Sequence, residues 1–168
     1  MESNPAVNTE GTTPFTAMES LDEQQISDEL RGKVLDTFVY DVKGKLGLSW
    51  AGIKAVAERM KQQGQPLSVE HVMVEESPDG TRFRAIAICK NLATGEKRTG
   101  AAEQKRFYDD AKTREIEFSY VLAVSKAQRN AIRAFLPESV ITSSIEEWKD
   151  KKAHPEKYAK HVTGAPTK

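Results

Sequence analysis

Two groups of basic residues have the types and spacing to meet a polyanion. In "LAVSKAQRNAIRAFLP" (122–137), Lys126, Arg129 and Arg133 recur at intervals of three and four, which on a helix is one face. Upstream, Lys97, Arg98, Lys105 and Arg106 bracket "TGAAEQ", and Phe107 and Tyr108 follow at once. Cations on phosphates with rings beneath bases is the chemistry of single-stranded nucleic-acid binding, and the small residues between the cations would let a polyanionic backbone come close. The plainer alternative for both groups is a solvated charged surface.

Other reactive types form no constellation. Asp109, Asp110, Glu115 and Glu117 could hold a divalent cation for nuclease chemistry, but nothing in their spacing fixes a geometry, and a solvated loop is the simpler reading. "GKLGLS" lacks the glycine–lysine spacing of a phosphate-binding loop. His71, His154 and His161 make no H-x-x-x-H pair, and Cys89 sits in an apolar run as a buried, inert thiol would. The expectation is a binding protein, not an enzyme, with no cofactor and no metal.

The 25 Lys+Arg balance 25 Asp+Glu in 168 residues, so net charge alone argues against a polyanion partner. The average conceals a segregation. Residues 1–30 contain seven acidic groups (Glu2, Glu10, Glu19, Asp22, Glu23, Asp28, Glu29) and no Lys or Arg, which leaves residues 31–168 with 25 basic and 18 acidic groups, a net +7. The 38% hydrophobic content supports one core, hence one domain with tails. A single cysteine excludes an intramolecular disulfide, and no stretch is long and apolar enough for a membrane span, so a cytoplasmic protein with no membrane partner is expected.

These groups must be positioned by a small set of elements. Residues 1–20 are polar and acidic and read as a disordered tail; 21–145 read as the core domain and 146–168, lysine-rich, as a basic C-terminal arm. A thin apolar stripe suggests a helix over 21–36, and Thr37–Tyr40 a short strand before the punctuation of Gly44 and Gly47. Ser49 caps a helix that should end at Gly64. Residues 68–76 and 81–90 flank the turn "SPDG", and "EKRTGAAEQ" adds a third strand to a meander. Because Ala85–Cys89 is apolar on both parities, both faces of the sheet should be covered, by helix on one side and by helix or a neighbouring subunit on the other. Residues 107–116 read as a flexible connection to a long helix, 117–136, ended by Pro137. At 100° steps Val121, Val124, Ala131, Ile132 and Phe135 share one side of it, with Lys126, Arg129 and Arg133 roughly opposite. Ser143 or Ser144 could cap a last short helix.

The fold class expected is therefore α+β: a helix, a three-stranded antiparallel meander and a long helix (a β-β-β-α core), with an additional N-terminal short strand. This order, with "HVMVEESPDGTRFRAIAICKNLATGEKRTGAAEQ" followed by "AVSKAQRNAIRAF", resembles the core of the Rad fifty-two family of single-strand annealing proteins and phage relatives such as Erf, over about residues 48–136. The matching helix positions are Ala123, Val124, Ser125, Arg129, Ala131, Ile132, Arg133, Ala134 and Phe135; Asn130 stands where the family has a second basic residue. The resemblance implies a ring or filament whose positive groove holds single-stranded DNA for ATP-independent annealing in recombination or repair. It further implies partners among replication or recombination proteins, with the acidic N-terminal segment as a solubilising arm or a competitor for the groove. A non-annealing single-stranded nucleic-acid adaptor is the alternative.

Overall fold

Ser77, Pro78, Asp79 and Gly80 turn the chain as their types require. The Asp79 carboxylate accepts from the Ser77 hydroxyl and from the Thr81 N–H and hydroxyl, and Gly80 takes φ +67°. In the computed structural model, which describes residues 13–158, this turn joins β3 (Leu67–Glu76) to β4 (Arg82–Asn91). For orientation, the preceding elements are α1 (Pro14–Leu30), β1 (Val39–Val42), β2 (Lys45–Leu48) and α2 (Trp50–Gln62). A second turn leads to β5 (Lys97–Lys105), giving an antiparallel sheet of order β3-β4-β5. After it come α3 (Ser119–Arg133), α4 (Glu138–Ala153) and a single turn, α5 (Pro155–Tyr158). The architecture is the α+β arrangement expected, with an N-terminal two-stranded sheet in place of a lone strand.

The sheet's inward side is built of small residues so that α3 can lie close. Ala85, Ala87 and Cys89 of β4 meet Ala123, Ala127 and Ala131, spaced one turn apart on α3. At Gly100 of β5 the approach is tightest: a Cβ there would lie 2.1 Å from the Ala131 nitrogen and 2.4 Å from the Ala127 oxygen. The small residues of "TGAAEQ" therefore seat a helix rather than a nucleic-acid backbone. The other side of the sheet is open in the single chain, where Met73 and Ile86 are 47% and 40% exposed. Among the described residues none supplies the expected cover on that side.

The second core lies where α2 and α4 pack on the small hairpin, through Val39, Leu48, Ile53, Val56, Leu136 and Ile141. Ser49 caps α2 as expected, accepting from the Gly52 N–H, and Gly64 follows the helix at φ +78°. Four expectations are corrected. The strand predicted over 37–40 is a hairpin, Val39–Val42 paired with Lys45–Leu48 through Lys43 and Gly44, both at positive φ; Gly47 is a strand residue pressed on Met18, where a Cβ would stand 2.9 Å from the sulfur. The first helix starts at Pro14 after a Thr13 cap and ends at Leu30, so residues 14–20 of the supposed disordered tail are helical, while 1–12 lie outside the described residues. The last long helix starts behind Pro137, and Ser143 and Ser144 are interior positions whose hydroxyls bond back to the Val140 carbonyl. Residues 146–153 of the supposed basic arm accordingly belong to α4, whose Ile145 and Trp148 pack on the core, and 159–168 lie outside the described residues. No described helix is long and apolar enough to cross a membrane.

Candidate nucleic-acid interface

Helix α3 has three occupied sides, not one. Its alanines face the sheet, Leu122 and Ile132 face a core shared with Ile26 and Trp50, and Lys126 and Arg129 face α1. The two cations are therefore buried, at 7% and 5% exposure, which corrects their expected place on a solvated face. Placement at 100° steps leaves that arc to water, whereas α1 lies over it.

Burying two cations costs several kcal/mol each unless opposite charge and hydrogen bonds compensate. Compensation comes from α1. Glu19, Asp22 and Glu23, at intervals of three and four, share one face of that helix. Arg129 places Nη1 on Asp22 and Nη2 on Glu19 at 2.6 Å, in the fork geometry a guanidinium favours. Lys126 Nζ donates to Glu23 at 2.8 Å and to the Gln104 side chain at 3.3 Å, with Glu19 at 3.7 Å. Asp22 is also fixed from behind: it accepts from the Trp50 N–H at 2.9 Å, a carboxylate at the positive end of α2. Gln25 accepts from the Ala51 N–H and donates to the Thr37 carbonyl. The buried Tyr40 hydroxyl lies in the field of this network and makes no hydrogen bond; burial, then Asp22, pushes its pKa far above the usual phenol value.

Arg133, one turn beyond Arg129, is exposed and has no ion-pair partner among the described residues. Beside it Asn130 donates to the Ala101 carbonyl at 2.7 Å and accepts from Arg129 Nε. These residues form one wall of a cleft of about 450 Å³. Phe15, Met18, Glu19 and Asp22 of α1 face them, Leu46–Leu48 of β2 closes one end, and Ala102 and Glu103 of β5 line the rest.

The second basic group does not converge with the first. Lys97 and Lys105 lie at opposite ends of β5 on the open face of the sheet, about 26 Å apart at 3.3 Å per residue. Lys97 pairs with Glu70 at 2.9 Å, whereas the Lys105 side chain has no partner among the described residues. Arg98 alternates to the helix side, lies over the Phe135 ring at 5.7 Å and pairs with Glu96. Arg106 is held by Glu76 and Glu115 at 2.6 and 2.9 Å, against the rings of Phe83 and Phe107. Of seven basic residues picked from the sequence, three line the cleft; the other four are scattered over sheet and loop.

The 107–116 connection is ordered as a loop closed by a bridge between Phe107 and Glu115. Asp109 accepts from the Thr113 N–H and hydroxyl, which hold its carboxyl below the usual range. Glu115 serves Arg106 and Glu117 serves Arg31. Among the described residues no three His, Cys, Asp or Glu gather as a metal site. Cys89 is buried, and burial pushes its thiol up.

What sequence reasoning missed is the start of α1 at Pro14 and its packing over Lys126 and Arg129. The signal was present as seven acids without one base in residues 1–30, a segregation that suits an internal counter-surface as well as it suits a tail. The chain matches no family model, no curated protein and no solved structure.

Proposed function

We propose that the chain binds single-stranded DNA in the cleft between α3, the β1–β2 hairpin and α1, and anneals complementary strands without nucleotide hydrolysis as a homo-oligomer. The observation that carries this reading is the wall of the cleft: Lys126, Arg129, Asn130 and Arg133 lie in line along one helix, with Arg133 open at the mouth. A row at this spacing, open at Arg133 with Arg129 behind it, suits the phosphate backbone of a single strand. The resemblance to the Rad fifty-two family points to the same helix. Self-assembly is favoured by the open sheet face, where Met73 and Ile86 remain exposed at the centre of the chain's largest sheet.

Annealing of two complementary labelled strands in the absence of ATP tests the activity, and light scattering at micromolar concentration tests the assembly. Accelerated annealing by a multi-subunit species is expected. Binding without acceleration would leave the adaptor reading, and no binding would remove both.

A further inference from the structure

The two ends of α1 are held unequally. From Asp22 onward the helix is built into the fold: Asp22 and Gln25 accept from the first N–H groups of α2, Ile26 is 1% exposed, and Glu29 receives the Trp50 indole N–H and pairs with Lys54. Ahead of Asp22, Ala17 is the one buried residue of 14–21; Met18 and Leu21 are half-buried on Tyr40 and Val42, and Phe15 is 73% exposed. Yet it is this weakly held part that puts Glu19 on Arg129 Nη2, inside the cleft.

We propose that residues 14–21 form a strap which single-stranded nucleic acid displaces, a phosphate taking the place of the Glu19 carboxylate. The inference rests on the cleft being the nucleic-acid site. Lifting the strap as far as Leu21 leaves Arg129 Nη1 on Asp22 and Lys126 on Glu23 and Gln104, so neither buried cation loses all its partners. What it frees is Arg129 Nη2, directly in line with Arg133. A phosphodiester carries one negative charge, as Glu19 does, so the exchange keeps the charge of the site constant. The strap is thus a built-in competitor that raises the affinity threshold for polyanions and admits those that offer a row of phosphates.

Two variants test it against a labelled oligothymidylate. Glu19→Gln should tighten binding about three- to tenfold at roughly 50 mM salt and less than twofold at roughly 0.5 M, because the competing charge is removed and screening hides it. Glu58→Gln, the same change of net charge on the exposed face of α2, should leave affinity as it is. The pair Met18→Cys and Gly47→Cys is designed to pin the strap to β2 on oxidation, since the Met18 side chain lies directly on Gly47. The oxidised form should lose binding and regain it on reduction. Unchanged affinity in Glu19→Gln, or an oxidised pin that binds as well as its reduced form, overturns the strap. A wild-type protein that binds no oligothymidylate, or binds it independently of Arg133, overturns the cleft reading itself.

Discussion

The cleft and the open face of the sheet use the same residue types to opposite ends. Lys126 and Arg129 are 7% and 5% exposed and each touches at least two acceptors, whereas Lys97 and Lys105 stand in solvent at the two ends of β5. From type and spacing alone both pairs read as candidate contacts to a polyanion. The difference teaches that a basic row on a helix is defined by what packs over it: α1 turns two of three cations into structural groups and leaves Arg133 as the accessible one.

The sharpest way to break the comparison is to remove charge on each side of it. Arg129→Ala leaves Asp22 buried beside Glu19 without its partner, and should cost about 3–5 kcal/mol, whereas Lys97→Ala and Lys105→Ala should each stay within about 0.5 kcal/mol. Urea denaturation monitored by circular dichroism reads both. Equal, small effects would mean that the α1–α3 network contributes no more than a surface pair. Arg129 is consequently a poor probe of binding, contrary to its expected place opposite the apolar side, because its loss confounds affinity with folding.

Next in size is the seat of α3. Gly100→Ala drives a methyl into the backbone of Ala127 and Ala131, and the sheet or the helix must shift; about 2–3 kcal/mol of destabilisation is expected. Ala101→Ser, one residue on and facing the open side, should be close to neutral. Comparable losses in the two would show that α3 lies farther from the sheet than the contacts at Gly100 require.

Binding provides a finer contrast. Arg133→Ala should leave stability within about 0.5 kcal/mol, weaken single-strand affinity about fivefold, and flatten log K against log[salt] by roughly 0.7 for one lost phosphate contact. Lys105→Ala, on the far side of the sheet, should change neither. If Lys105 carries the larger effect, the interface is the open face and not the cleft.

Much of the fold was legible because local chemistry and global packing agreed there. The "SPDG" turn, the Ser49 cap with Gly64, and the three strands each follow from side chains that act on their own backbone. Failures came where a residue's meaning lay in a distant partner. Gly47 reads as a break, yet it is a strand residue made necessary by Met18, and Gly100 looks like room for a ligand until Ala127 and Ala131 fill it. The same holds for the site. Arg133 is exposed, as its place in the row suggests, but no local pattern pairs Arg129 with Asp22, 107 residues away. Helix α1 was hardest to read, because two of its four buried residues, Asp22 and Gln25, are polar, and Ala17 and Ile26 alone make too thin an apolar pattern.

Acid should weaken the exposed "SPDG" turn through Asp79. The hydrogen bonds from Ser77 and Thr81 hold the Asp79 carboxyl well below its ordinary value. A depressed folded-state pKa adds stability above the unfolded value of about 3.9, and that stability fades as pH falls below it. Asp79→Asn should therefore be less stable than wild type at neutral pH, with the gap closing below about pH 4. Parallel stability curves down to strong acid would show that the turn draws nothing from this carboxylate.

The smallest expected effect tests how well the interior of the α1–α3 network is satisfied. The Tyr40 hydroxyl is buried, makes no hydrogen bond, and sits near the Asp22 charge, while its ring packs with Ala17, Val42, Met18 and Leu21. A buried hydroxyl without a partner has given up its hydration for nothing, so Tyr40→Phe keeps the ring contacts and removes the penalty. Stability should rise slightly or stay level, within about 1 kcal/mol. Tyr40→Ala, which takes the ring as well, should cost about 3–5 kcal/mol. The two variants separate packing from polarity at the same position. A loss above 1 kcal/mol in the Phe variant would mean that the hydroxyl donates to Asp22 in solution, and that the carboxylate holding Arg129 leans on β1 as well as on α2.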